Sequence, residues 1–217
     1  MAATDKKRSK RSGGRTYHHG QLREALVKAA VEIVEAEGVA GLTLRKAARR
    51  AGVSHAAPGH HFGDLRGLLA AVATEGLRTL HAALVGAYEA APEHAHKERL
   101  QATGLAYVTW AVQAPGCFRA TFHPALADRS RDAELEEASQ ATFGVLVEAI
   151  VACQTAGVVR EGDPKELALA AWSVVHGLAT LAVDDQLRGK GFTQDPRKLA
   201  ATLTTHLFAG LKAPGGP

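Results

Sequence analysis

Apolar residues recur at intervals of three and four along nearly the whole chain, and no segment of strand length alternates apolar with polar. From Gln21 the series Leu22, Leu26, Ala29, Ala30, Ile33 and Val34 keeps to one side of a helix that Gly38 stops. After a short link over 39–42, Thr43 stands as N-cap to a second helix over 44–51. Leu44, Ala47, Ala48 and Ala51 form its apolar side, with Arg45, Lys46, Arg49 and Arg50 elsewhere. Lys46 occupies the place where a capping box would want Glu. Gly52 breaks this helix, Val53 plugs the angle, and Ser54 caps a third short helix reaching His61. In that frame Pro58 is the fourth helical residue and forfeits only the first intrahelical hydrogen bond. Asp64 then caps a long helix toward Tyr88 that presents Leu68, Leu69, Val72, Leu77, Leu80 and Leu84 and ends before Pro92. Further helices are predicted at 97–113, 117–122 and 131–156. Asp163-Pro164 with Glu166, and Asp195-Pro196, start the last two, at 164–187 and 196–211.

Composition strengthens the helical reading without changing it. Among 217 residues there are 43 alanines, and Leu outnumbers Ile 24 to 2. With 46% hydrophobic and 22% charged residues the chain is expected to be a globular all-α protein. No run of about 18 uninterrupted apolar residues occurs, so no membrane partner is expected. The opening MAATDKKRSKRSGGR lacks an apolar stretch behind its charges and does not read as a secretory signal, which points to the cytoplasm. Cys117 and Cys153, the two cysteines, are too few for a disulfide framework and read as small buried thiols.

Charge does change the picture. Residues 1–15 hold six Lys/Arg against one acid, residues 16–66 seven against five, and residues 67–217 thirteen against sixteen. A basic beginning on a mildly acidic remainder is the asymmetry of a protein whose one end approaches a polyanion. The organisation expected is a basic flexible arm (1–15), a three-helix module (16–66) and a larger helical domain (67–217). Two short helices joined by a glycine-containing turn make a helix-turn-helix, the second of which enters the major groove of double-stranded DNA.

The stretch LREALVKAAVEIVEAEGVAGLTLRKAARRAGVSHAAPGHHFGDLRGLL resembles the amino-terminal DNA-binding domain of the TetR/AcrR transcriptional repressors. The marks that carry the likeness are the aliphatic first helix, Gly38, Thr43-Leu44-Arg45, Ala47, Ala48, Gly52-Val53-Ser54, His61-Phe62, and Asp64 before Leu68-Leu69. Trp172, His176 and Gly177 resemble the signature of the subgroup called WHG. Two departures lie inside the motif. Gly59 stands where the family commonly has Tyr and Leu65 where it has Lys, both usual phosphate contacts, so the basic arm is left to compensate.

The DNA-binding residues expected are Ser54, His55, Ala56 and Ala57 at base edges, and Thr43, Arg45 and His60 with the helix amino termini on phosphates. His61 is counted with this set, beside Phe62 at the module's edge. The resemblance implies a homodimer on a palindromic operator, a small-molecule effector of unknown identity, and an effector pocket in the larger domain. Trp172 and His176, four apart on one helix face, either line that pocket or belong to the core or a dimer face. Tyr107 and Trp110 are further pocket candidates. The faces Leu167/Ala171/Val174/Leu178 and Leu199/Leu203/Leu207/Leu211 are expected to pair with their copies across a two-fold axis.

His18-His19, His60-His61 and His94-x-His96 lack a third ligand cluster, so neither a metal nor a cofactor is expected. With no phosphate loop, nucleophile elbow or metal triad, no catalytic residue is expected either. The alternatives are a constitutive architectural DNA binder without effector and a small helical enzyme.

Overall fold

A computed structural model of the chain describes residues 14–211. Most of the basic arm, residues 1–13, and the end after Leu211 lie outside the described residues. Among the described residues nine α-helices follow one another without a strand: α1 (Gly14–Glu37), α2 (Leu44–Ala51), α3 (Ala57–Phe62), α4 (Leu65–Ala90), α5 (His96–Gln113), α6 (Pro115–Thr121), α7 (Ala133–Thr155), α8 (Pro164–Val183) and α9 (Pro196–Leu211).

Local chemistry sets most of the boundaries. The Thr43 hydroxyl accepts the Lys46 N–H at 3.1 Å, and Gly52, at φ 69°, closes α2 in the left-handed region. Asp64 accepts the Gly67 N–H at 2.8 Å to open α4, and Asp163 accepts the Lys165 N–H at 2.8 Å to open α8. Two expectations need correction. α1 starts at Gly14 rather than Gln21, because a helix already nucleated adds residues cheaply whether or not they carry the apolar period. α3 starts at Ala57 rather than just after Ser54. Pro58 has no N–H to offer the Ser54 carbonyl, which accepts the Ala57 N–H instead at 3.1 Å. The segment from Ser54 is therefore a single turn, and the helix follows it.

α4 is the central post. Leu68, Leu69, Val72, Leu77, Leu80 and Leu84 are all buried along it, against α1, α5, α6 and α7. A boundary at residue 66 therefore falls inside a continuous helix. By length and mean hydropathy α4 and α8 are both apolar enough to cross a membrane, which the search for uninterrupted apolar runs did not register. The most apolar window of α4 is 61% buried in the protein's own core, whereas that of α8 is only 33% buried.

The two carboxy-terminal helices face differently from the expectation. Leu167, Ala171 and Leu178 of α8 and Leu211 of α9 are buried inside their own protomer. The outward side of α8 instead carries Leu169 (52% exposed), Ala170, Ser173 and Leu181 (45% exposed). Both cysteines are buried and free; burial, reinforced by the Glu35 carboxylate, pushes the Cys117 thiol up to about 12, and burial pushes Cys153 up to about 11.

α6 rests directly on α1. The Glu35 carboxylate accepts the Gly116 N–H at 3.1 Å and the Cys117 N–H at 2.8 Å, the first free donors of α6. A Cβ at Gly116 would lie 2.3 Å from the Val34 carbonyl oxygen and 2.7 Å from Glu35 Cα. Backbone cannot yield as a side chain does. Gly116→Ala is expected to destabilise the protein by at least about 1–3 kcal/mol, read as a lowered urea midpoint with unchanged slope. An unchanged midpoint would show that the two backbones are not in contact.

Candidate functional site

The exposed surface of the helix-turn-helix is built on the turn that Pro58 imposes. Ser54, His55 and Ala56 lie on it with their side chains exposed, and Gly59 and His60 follow on the outer side of α3. Ala57 departs from the expected set. It is 8% exposed and, with Pro58, turns into the module's interior, so the small-residue surface is shorter than the sequence implied. His61 is half-buried, its ring 6.1 Å from Phe62, and Arg23 lies over the other ring at 5.7 Å.

On α2, Thr43 and Arg45 are exposed as expected. The four cations of this helix divide in two. Lys46 pairs with Glu37, and Arg50 pairs with Glu32 at 3.3 Å. Arg45 and Arg49, four residues apart on one side, are exposed and form no ion pair among the described residues. Arg49 is not in the set expected from the sequence; only the pairing of its neighbours distinguishes it.

The larger domain encloses a cavity of about 530 Å³ between α4, α5, α7, α8 and α9. Leucine is the commonest residue of its walls, with phenylalanine and a minority of polar side chains, and Tyr107 and Trp172 are part of them. The pair foreseen at four-residue spacing is thus split by depth. Trp172 reaches the cavity, while His176 stands behind it among Phe118, Phe122 and Trp172, with ring centroids 5.4, 4.5 and 5.4 Å away. Trp110 is not on the wall. It is 7% exposed, and its indole N–H donates to Thr79 Oγ1 at 3.1 Å on the α4 side.

Three of these side chains form one directed chain of hydrogen bonds. The Trp172 indole N–H donates to Tyr107 Oη at 3.3 Å, and the Tyr107 hydroxyl donates to His176 Nδ1 at 2.8 Å. This direction gives the indole N–H and the phenolic O–H an acceptor each and requires Nδ1 to be unprotonated, with the imidazole proton on Nε2. Burial agrees with it: desolvation lowers the His176 pKa below its ordinary value and raises that of Tyr107, so both are neutral near pH 7.

One wall residue gave no signal in the sequence. Arg129 lies on a short 3-10 turn, Arg129–Arg131, between α6 and α7. Its Nη2 donates to the Thr121 carbonyl at 2.9 Å, and its guanidinium carbon is 5.9 Å from the centre of the Phe122 ring. In a charged stretch such as DRSRD no periodicity singles out the arginine that turns inward.

Comparison with known proteins agrees with this arrangement. A sequence model described as "Bacterial regulatory proteins, tetR family" matches residues 26–72, and one described as "Tetracyclin repressor-like, C-terminal domain" matches residues 100–207. The chain is 34% identical over 77 residues to the HTH-type transcriptional regulator BetI of Vibrio parahaemolyticus, covering 36% of this chain and 39% of that relative. It thus spans well under half the length of that curated relative. Among solved structures, a protein of unknown function from Rhodococcus sp. RHA1 is 34% identical with a TM-score of 0.78, covering 91% of this chain and 99% of that one. A bacterial regulatory protein in the tetR family from Rhodococcus RHA1 is 25% identical with a TM-score of 0.67, covering 89% and 98%. With one model on the helix-turn-helix and the other across the cavity helices, the chain belongs to the TetR family of DNA-binding transcriptional regulators.

Proposed function

We propose that this regulator is a cytoplasmic homodimeric repressor, not an enzyme, that holds a palindromic operator and releases it when a small molecule enters the cavity of the larger domain. The observation that carries the reading is the exposed Ser54-His55-Ala56 turn beside the unpaired Arg45 and Arg49. Small side chains let the backbone approach base edges, His55 and Ser54 can exchange hydrogen bonds there, and the free guanidinium groups supply phosphate contacts. Thr43 and His60 add positioning contacts. Residues 16–66 are proposed as the DNA-binding unit and residues 67–217 as the effector and dimer unit, with α4 running across the boundary between them.

Support for the dimer comes from α8, whose apolar length is one-third buried and whose Leu169 and Leu181 face outward. A second copy covers such a face by an isologous contact, and a two-fold protein reads a two-fold site. A constitutive architectural binder has no use for a 530 Å³ cavity reached by α4, the helix that begins at the DNA-binding module.

Selection of bound genomic fragments is expected to return a near-palindrome. On it, His55→Ala should cost about 1–3 kcal/mol and relax preference at one position per half-site. Arg45→Ala should weaken all sequences alike and flatten the plot of log affinity against log salt by up to about 0.9. Full affinity and full preference in His55→Ala would remove it from the base-reading set.

For the dimer, Leu181→Glu is expected to yield a folded monomer by light scattering, with operator affinity lost in proportion. A variant that stays dimeric places the interface elsewhere.

A further inference from the structure

The cavity combines a hydrocarbon lining with a nearly unsatisfied cation. Arg129 Nη1 is sealed from water and has no hydrogen-bond partner, and Arg129 forms no ion pair among the described residues. Burial lowers its pKa; Glu136 opposes that from beyond ion-pair distance, its carboxylate accepting from the Gln140 side-chain amide at 2.5 Å. A guanidinium stays charged in a protein, so this is a half-buried charge with an unused donor.

Most of the remaining polar side chains of the wall are already engaged: Gln101 and Gln140 donate to Thr205 Oγ1 and to the Glu136 carboxylate, at 3.4 and 2.5 Å, and Ser139 is the neutral hydroxyl left over. The hydroxyls of Thr103, Thr142 and Thr204 donate to the carbonyls of Leu100, Ala138 and Ala201 on their own helices, at 2.8, 2.7 and 3.1 Å. Tyr107 is held between Trp172 and His176. A ligand rich in hydroxyls, such as a sugar or nucleoside, would therefore lose its water and find too few partners to replace it. The charged side chains on the wall are Arg129 and Lys165, both cationic, so the lining offers a cationic ligand no counter-charge. The volume suits a molecule of ordinary ligand size.

We propose that the cavity binds a hydrophobic carboxylate, its carboxylate group on Arg129 and its apolar body along the leucines of α4, α7 and α9. The inference rests on the reading of this cavity as the effector site. A carboxylate supplies the counter-charge that Arg129 lacks and, once the guanidinium turns toward the cavity, the acceptor for Nη1, in the planar geometry the guanidinium prefers.

The test uses the full chain with four probes: dodecanoate, naphthylacetate, and their alcohols dodecanol and naphthylethanol. Binding is followed by calorimetry and by tryptophan fluorescence, to which Trp110 and Trp172 both contribute. At least one acid is expected to bind, about tenfold or more tighter than its alcohol. Arg129→Gln should remove that preference while leaving alcohol binding unchanged, Arg129→Lys should retain part of it, and Lys165→Ala should change it less than twofold. Thermal unfolding of each variant confirms that it is folded. Equal binding of acid and alcohol, no binding of either acid, or an acid preference that survives Arg129→Gln overturns the proposal. Operator release separates it from the underlying reading. Arg129-dependent acid binding that leaves operator occupancy unchanged upholds the ligand class and refutes the inducer role. Release by a neutral compound, undiminished in Arg129→Gln, does the reverse.

Discussion

Two backbones touch where Gly116 of α6 lies against Val34 and Glu35 of α1, and the relation of the two halves of the molecule depends on that contact. No side chain larger than hydrogen fits there, and the Glu35 carboxylate fills the space beside it by accepting two of the free N–H groups of α6. A carboxylate at a helix amino terminus meets both unsatisfied donors and the positive end of the helix dipole. The last turns of α1 therefore cannot shift without carrying the start of α6. At its other end α6 is held again: Arg119 binds the Asp184 carboxylate at 3.0 Å and the Val183 carbonyl at 2.6 Å, at the close of α8. Asp184 is exposed yet tied to α6, whereas its neighbour Asp185 pairs with Arg188 at 3.5 Å.

A second connection runs through the segment that carries Arg129. Arg66, in the first turn of α4, donates from Nη1 to Asp132 at 2.6 Å and from Nη2 to the Asp128 carbonyl at 3.0 Å. Arg129 between them turns inward and holds the Thr121 carbonyl at the end of α6. Residues 128–132 are thus stretched between the cavity wall and the point where α3 hands over to α4. Anything that draws Arg129 inward acts on Arg66 and on α6 together. The size of such an effect is bounded by how differently the ligand binds the two dimer geometries, typically about 1–3 kcal/mol.

What the sequence made legible was local. Thr43, Gly52, Asp64 and Asp163 cap or close helices through atoms two to four positions away, and their spacing alone announces this. The apolar stripe of α4 was equally plain, since most of its length is buried. The failures share a cause: each depends on which of several available faces a distant element covers. α8 is apolar on more than one side, and periodicity cannot say which side meets its own protomer. Tyr107 and Trp110 are one turn apart on α5, yet one meets α8 at the cavity and the other meets α4. Arg129 lies outside any periodic element. The late start of α3 is the exception, because a missing N–H at Pro58 has its effect four residues upstream and was visible in principle.

The aromatic cluster shows why recognition and transmission meet in the same place. Trp172 and Tyr107 are tied to each other and to His176 behind them, so the part of the wall they form is neutral and fixed in orientation. Phe122, just after α6, meets the His176 ring edge-on at 4.5 Å and shares the cavity wall with Trp172. Close-packed rings transmit displacement because they have no loose rotamer to absorb it. A ligand body against Trp172 and a charged group on Arg129 would therefore press on the same short helix from two sides, and the other end of that helix is the backbone contact with α1.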